Sequence, residues 1–120
     1  MRIDKFALML YIKSMKIFIL KKSISDLKNP IERVEYETEA STVERFICEM
    51  VEKNYARRPV KDALAECKRL ALDEFRDGGY YIVNQTKNHK YKDAAEPVGF
   101  AEGDEVVLIK LKYVRGMLWL

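Results

Sequence analysis

The side chains able to do chemistry in this 120-residue chain are few and scattered. Cys48 and Cys67 stand nineteen positions apart, each inside a helical apolar pattern, and no Cys-x-x-Cys occurs. His89 is the single histidine and lies in a polar stretch, so the ligand set of a zinc site is missing. Buried free thiols are the expectation, in keeping with a reducing cytoplasm. A disulfide between facing helices is the alternative, and geometry decides between the two. No nucleophile stands near His89, and there is neither a Gly-rich phosphate loop nor a paired-carboxylate motif. Asp73, Glu74 and Asp77 cluster near the end of a helical pattern, where they read as a solvated face. The expectation is a protein without catalytic residues, cofactor or metal.

One stretch mixes charge with an aromatic ring. Lys87, His89, Lys90, Tyr91 and Lys92, with Arg57 and Arg58, could track phosphates and stack a base. The net charge of +3 gives little support to a nucleic-acid partner, and a solvated loop is the preferred reading. The distribution of charge is more informative. Residues Ile31 to Glu52 carry seven Glu against Arg33 and Arg45, whereas Met1 to Lys28 carry seven Lys or Arg against Asp4 and Asp26. Opposed patches of this kind sit on solvated faces, pair with each other or meet a charged partner.

The elements that position these groups follow from periodicity. Lys16–Lys21 is an apolar strand, a turn-like segment over Ser23–Pro30 follows, and Val34–Glu39 alternates strictly, with Val34, Tyr36 and Thr38 inward. Ser41-Thr42-Val43-Glu44 reads as a capping box, opening a helix whose stripe is Val43, Phe46, Ile47, Met50 and Val51. Pro59 suits the first turn of a second helix, which carries Val60, Leu64, Cys67, Ala71 and Phe75 and stops at Asp77-Gly78-Gly79. Tyr80–Asn84 is a short strand and Gln85–Glu96 an exposed loop. A Gly103-Asp104 turn then delivers a last strand over Glu105–Val114. Its two rows are Val107, Ile109, Leu111 and Tyr113, taken as the core row, and Val106, Leu108, Lys110 and Lys112, taken as partly wet. This order predicts an α+β domain: one mixed sheet with its first and last strands central and parallel, packed on one face by helices.

The N-terminal run Phe6–Ile12, continued by Met15–Leu20, is apolar enough to suggest an anchor. Lys13 and Lys16 interrupt it, each costing about 2.5–3.5 kcal/mol at the centre of a membrane helix. No small-residue cleavage site follows. The expectation is no membrane association. Met15 also reads as a natural start, which would make residues Met1–Ser14 an extension.

Met15-Lys16-Ile17-Phe18-Ile19 as first strand, Ser41–Ile47 as helix start and Tyr81-Ile82-Val83-Asn84 as a "VN" strand occur in the order of a known superfamily. So do Pro97-Val98 and Glu102-Gly103-Asp104-Glu105-Val106, a "GDEV" lead into the last strand. Over roughly Met15–Gly116 the chain resembles the β-grasp, or ubiquitin-like, proteins. It is most similar to their sulfur-carrier branch, which includes the molybdopterin-synthase small subunit and the thiamine sulfur carrier. The resemblance implies a β-grasp sheet packed by a main helix, with Tyr55–Gly79 as an added second helix. It also brings a departure. The carriers end in Gly-Gly, whose carboxylate is activated; here Gly116 is a lone glycine followed by Met117-Leu118-Trp119-Leu120, an apolar tail over 117–120.

Three functional expectations result. The first is a non-catalytic interaction module, a small subunit or adaptor with a protein partner or a second copy of itself. Its contacts would be Val106, Leu108, Lys110 and Lys112 on the open sheet face, with Met117, Leu118 and Trp119 as an apolar anchor. The second is a carrier or modifier matured by trimming after Gly116. The third is a nucleic-acid contact through Lys87–Lys92. The tail is too apolar to dangle, so it folds back on its own domain, anchors a second copy or a partner, or is removed by proteolysis.

Overall fold

The computed structural model describes residues 14–23, 32–112 and 117–119. Residues 1–13 of the expected Met1–Ser14 extension, residues 24–30 of the expected Ser23–Pro30 turn, and Tyr113, Gly116 and Leu120 lie outside them. The elements are β1 (Met15–Ser23), β2 (Arg33–Thr38), α1 (Val43–Arg57), α2 (Leu64–Arg76), β3 (Tyr80–Asn84), β4 (His89–Tyr91) and β5 (Glu105–Lys110). They form an α+β domain with one five-stranded sheet in the order β2-β1-β5-β3-β4. β1 runs parallel to β5, in the register Ile19 to Val106 and Lys21 to Leu108, while β2 and β3 flank this pair antiparallel. The central parallel pair expected from the two most apolar segments is present.

α1 forms where its apolar stripe predicts, but its cap lies one residue later than expected. Thr42, not Ser41, is the N-cap, and its Oγ1 accepts from Arg45 N at 3.2 Å. This places Arg45 where a capping box needs Glu or Gln. Two further orphan donors of the helix start are met by tertiary structure. Val43 N and Glu44 N donate to the carbonyls of Glu96 and Ala94, so the 94–96 loop closes the helix start.

α2 begins at Leu64, not near Pro59, and Val60 stays exposed in the connection. The apolar stripe Leu64, Cys67, Ala71, Leu72 and Phe75 becomes continuous only from Leu64 onward. The helix ends as Gly78 and Gly79 predict: Gly78 takes φ +74° and Gly79 N donates to Glu74 O. Gly79 O then receives Leu111 N and Lys112 N, tying the end of β5 to this turn.

The Gln85–Glu96 segment is not simply a loop. It turns at Asn88 (φ +53°) into β4, which pairs with β3 through Val83 to Lys90. Tyr91 is buried, its hydroxyl donating to Val98 O. The three residues of β4 carry one apolar side chain, too little for alternation to reveal.

The core lies between the sheet and the two helices. β1 contributes Ile17 and Ile19, β3 Tyr80 and Ile82, α1 Phe46, Ile47, Met50 and Val51, and α2 Cys67, Ala71 and Phe75. From β5 it takes Val106 and Leu108, both 0% exposed, and this inverts the expected face. The register explains why: Val106 lies beside Ile19, and strand neighbours at matched register share a face. The sequence Val106-Val107-Leu108-Ile109 is apolar throughout, so its alternation carries no polarity. Lys110 and Lys112 do not make their row wet, because Lys110 sits at the strand end, where a long stem leaves the core. Val34, expected inward, is 49% exposed because it lies at the margin of the sheet near the start of β2.

Candidate interaction surfaces

The face turned away from the helices is built by alternate residues of three strands. β1 supplies Phe18 and Leu20, β5 Val107 and Ile109, and β3 Tyr81 and Val83. Register aligns Leu20, Val107 and Val83 in one row, and Ile109 with Tyr81 in the next. Val107 is only 8% exposed, shielded by these neighbours, while the others are half-buried. Cations cover the rings at both margins. The Arg33 guanidinium lies 3.6 Å from the Phe18 ring centre and the Lys90 ammonium 3.5 Å from that of Tyr81. Arg33 also pairs with Glu105 at 3.1 Å. The result is an apolar centre with a charged rim.

This surface corrects the expected contact set. Val106 and Leu108 are core residues and cannot meet a partner. Lys110 lies 5.8 Å from the Trp119 ring, and Lys112 is exposed just beyond β5. Sequence reasoning missed Phe18, Leu20, Tyr81 and Val83. The signal was the alternation of β1 and β3, once the inward rows Ile17, Ile19 and Tyr80, Ile82 are known.

The segment after Gly116 folds back. Met117 and Leu118 are 4% and 1% exposed and Trp119 is half-buried. Two side chains hold its backbone: Asn54 Nδ2 of α1 donates to Met117 O, and Lys21 Nζ of β1 to Leu118 O, each at 2.5 Å. Trp119 packs edge-on against Tyr80, ring centres 5.4 Å apart. Burial, then the charge of Arg57, pushes the Lys21 pKa down from the usual lysine value. Of the three fates expected for this segment, the structure shows docking on its own domain.

The basic run does not assemble into a phosphate track. The Lys87 ammonium contacts Gly99 O and the Asp104 carboxylate, His89 pairs with Glu96, and Lys90 covers Tyr81. The aromatic ring meant for a base, Tyr91, is in the core. Arg57 and Arg58 stand at the C-terminal end of α1, whose N-terminal end carries the 94–96 loop.

The other titratable groups have structural roles. Asn84 Nδ2 donates to Asp104 Oδ2 at 2.9 Å, and both side chains are buried. Burial works to raise the Asp104 pKa, but the Ala101 amide, Asn84 and Lys87 outweigh it and hold the carboxyl below its usual value. Tyr36 donates to Glu49, linking β2 to α1. Cys48 and Cys67 are free and buried, and burial pushes both thiols up, which suppresses the reactive thiolate. An open cleft of about 320 Å³ lies between Met15, Thr38–Ser41 and Pro97–Phe100, with Glu39 its one titratable group. Among the described residues no His, Cys, Asp and Glu cluster could hold a metal ion, and no helix is long and apolar enough to cross a membrane.

Comparison with known proteins adds no further assignment: no protein-family model matches the chain, and no curated protein matches it significantly.

Proposed function

We propose that this chain is a non-catalytic interaction domain of the β-grasp, ubiquitin-like type, a cytoplasmic small subunit or adaptor that meets a protein partner through its open sheet face. The observation that carries the reading is the row of Phe18, Leu20, Tyr81, Val83, Val107 and Ile109 on the side without helices, rimmed by Arg33 and Lys90. An apolar centre inside a polar rim has the anatomy of a protein contact. The parallel β1–β5 pair at the centre of the sheet, with α1 across one face, supports the β-grasp assignment because the sequence resemblance requires both. The buried Asn84–Asp104 pair and the buried thiols favour a structural role for the polar core over a catalytic one.

The reading as a carrier trimmed after Gly116 gains nothing from the neighbouring geometry. Release of the segment would expose Met117 and Leu118, and full burial of such side chains is worth roughly 1.5–3 kcal/mol each.

The test is charge insertion on the open face. Tyr81→Asp and Ile109→Glu should abolish co-purification of the native partner while leaving the unfolding midpoint in urea nearly unchanged. A charge reversal outside the face, Glu39→Lys, should retain the complex. Retention of the complex by folded Tyr81→Asp and Ile109→Glu proteins would overturn the proposal.

A further inference from the structure

β2 ends the sheet on one side, and the hydrogen bonds of β1 fix which of its backbone groups are free. Lys16 N donates to the Glu102 carboxylate, Lys16 O accepts from Gly103 N, and Phe18 N donates to Asp104 O. The even residues of β1 therefore turn their backbone toward β5, and Ile17 and Ile19 turn theirs toward Tyr36 and Val34 of β2. The N–H and C=O groups of Arg33, Glu35 and Glu37, opposite the even residues, point away from the sheet. α1 closes the far end of this edge: Lys53 Nζ donates to Glu37 O, and Glu49 accepts from Glu39 N. Among the described residues the N–H and C=O of Glu35 and the N–H of Glu37 have no partner.

The side chains along this edge say what strand it suits. Glu35, Glu37 and Glu39 are exposed, and of the three only Glu35 is in an ion pair, with Lys16 at 3.9 Å. On the other side of the strand Val34 is 49% exposed beside the half-buried Tyr36. A second copy presenting the same edge would set glutamate against glutamate, so the charge opposes self-pairing. A strand with cations in one row and apolar residues in the other would meet both sides.

We propose that the Arg33–Glu37 edge is a second interaction site, which adds a basic, alternating lysine-and-apolar segment of a partner protein to the sheet as a further strand. Its backbone pairs with Glu35 and Glu37, its cations lie beside their carboxylates, and its apolar row covers Val34 and Tyr36. This is an edge and not the open face, so it is independent of the open-face reading, and Tyr81→Asp should leave it unaffected.

The probe is the blocked peptide acetyl-Lys-Val-Lys-Ile-Lys-Val-Lys-amide, added to the intact chain and followed by amide hydrogen exchange. In the chain alone Glu35 and Glu37 N–H should exchange as open backbone, while Tyr36 N–H is protected. Bound peptide should slow both at least about tenfold, at a midpoint below ~1 mM that rises with salt. Replacing the central Ile of the peptide by Pro keeps its charge and removes one N–H, and should weaken binding at least about tenfold. Glu35→Lys with Glu37→Lys should abolish the response without shifting the urea midpoint. The proposal is overturned if Glu35 and Glu37 N–H are already protected in the chain alone, which would mean that the edge is covered by its own chain or a second copy. It is equally overturned if the lysine peptide protects neither amide, or if the proline peptide binds as well, which would mark attraction of charge without strand addition.

Discussion

Asn84 and Asp104, distant in sequence, share a buried hydrogen bond of 2.9 Å between the end of β3 and the start of β5. The same Asp104 oxygen receives Ala101 N, and the Asn84 side-chain Oδ1 receives Lys87 N. Two loops are thereby closed by one polar contact. Gly103 precedes it with φ +83°, a conformation that strains any side-chain-bearing residue, and donates to Lys16 O. The "VN" and "GDEV" motifs are thus two halves of one structural device. Asp104→Ala should cost about 1–3 kcal/mol in urea unfolding, because it strands the buried Asn84 amide.

Acid should act through the same carboxylate. Its pKa is lower folded than unfolded, so the unfolded chain binds more protons, and stability falls as pH drops from about the ordinary value of 3.8 through the folded one. Asp104→Asn should flatten the acid side of a stability–pH curve. An unchanged slope would show that the carboxylate is not held ionised by its neighbours.

The two rows of β5 should respond differently to truncation. Leu108→Ala removes a fully buried side chain and should cost about 2–5 kcal/mol. Ile109→Ala, on the half-buried open face, should cost under ~1.5 kcal/mol. Equal losses in chemical denaturation would contradict the face assignment.

The docked segment should contribute to stability without altering assembly. Leu118→Ala should lower the unfolding free energy by about 2–4 kcal/mol, with unchanged mass in light scattering. A loss of mass at constant stability would instead make this segment an intermolecular anchor.

Much of this architecture can be read from sequence. Ile17 and Ile19, the α1 stripe and the glycines at 78 and 79 specify their elements by period and turn chemistry, and the strongest strands pair at the centre. What escapes is decided by contacts distant in the chain. The face of β5 is invisible in four consecutive apolar residues and is fixed only by Ile19 beside Val106. Tyr91 looks like a loop residue until its hydroxyl meets Val98 O. The apolarity of Met117–Trp119 demands burial, but nothing local names Lys21 and Asn54 as the donors that receive it. The same ambiguity in β5 governs which side chains reach the open face: with Val106 and Leu108 inward, that face is lined by Phe18, Tyr81, Val83, Val107 and Ile109.

Photo-cross-linking tests the central claim most directly. A benzophenone amino acid replacing Tyr81 on the open face, or Arg69 on the exposed side of α2, samples the two sides of the domain separately. A discrete cross-linked partner is expected from position 81 and none from position 69. Cross-linking from position 69 with none from position 81 would contradict that claim.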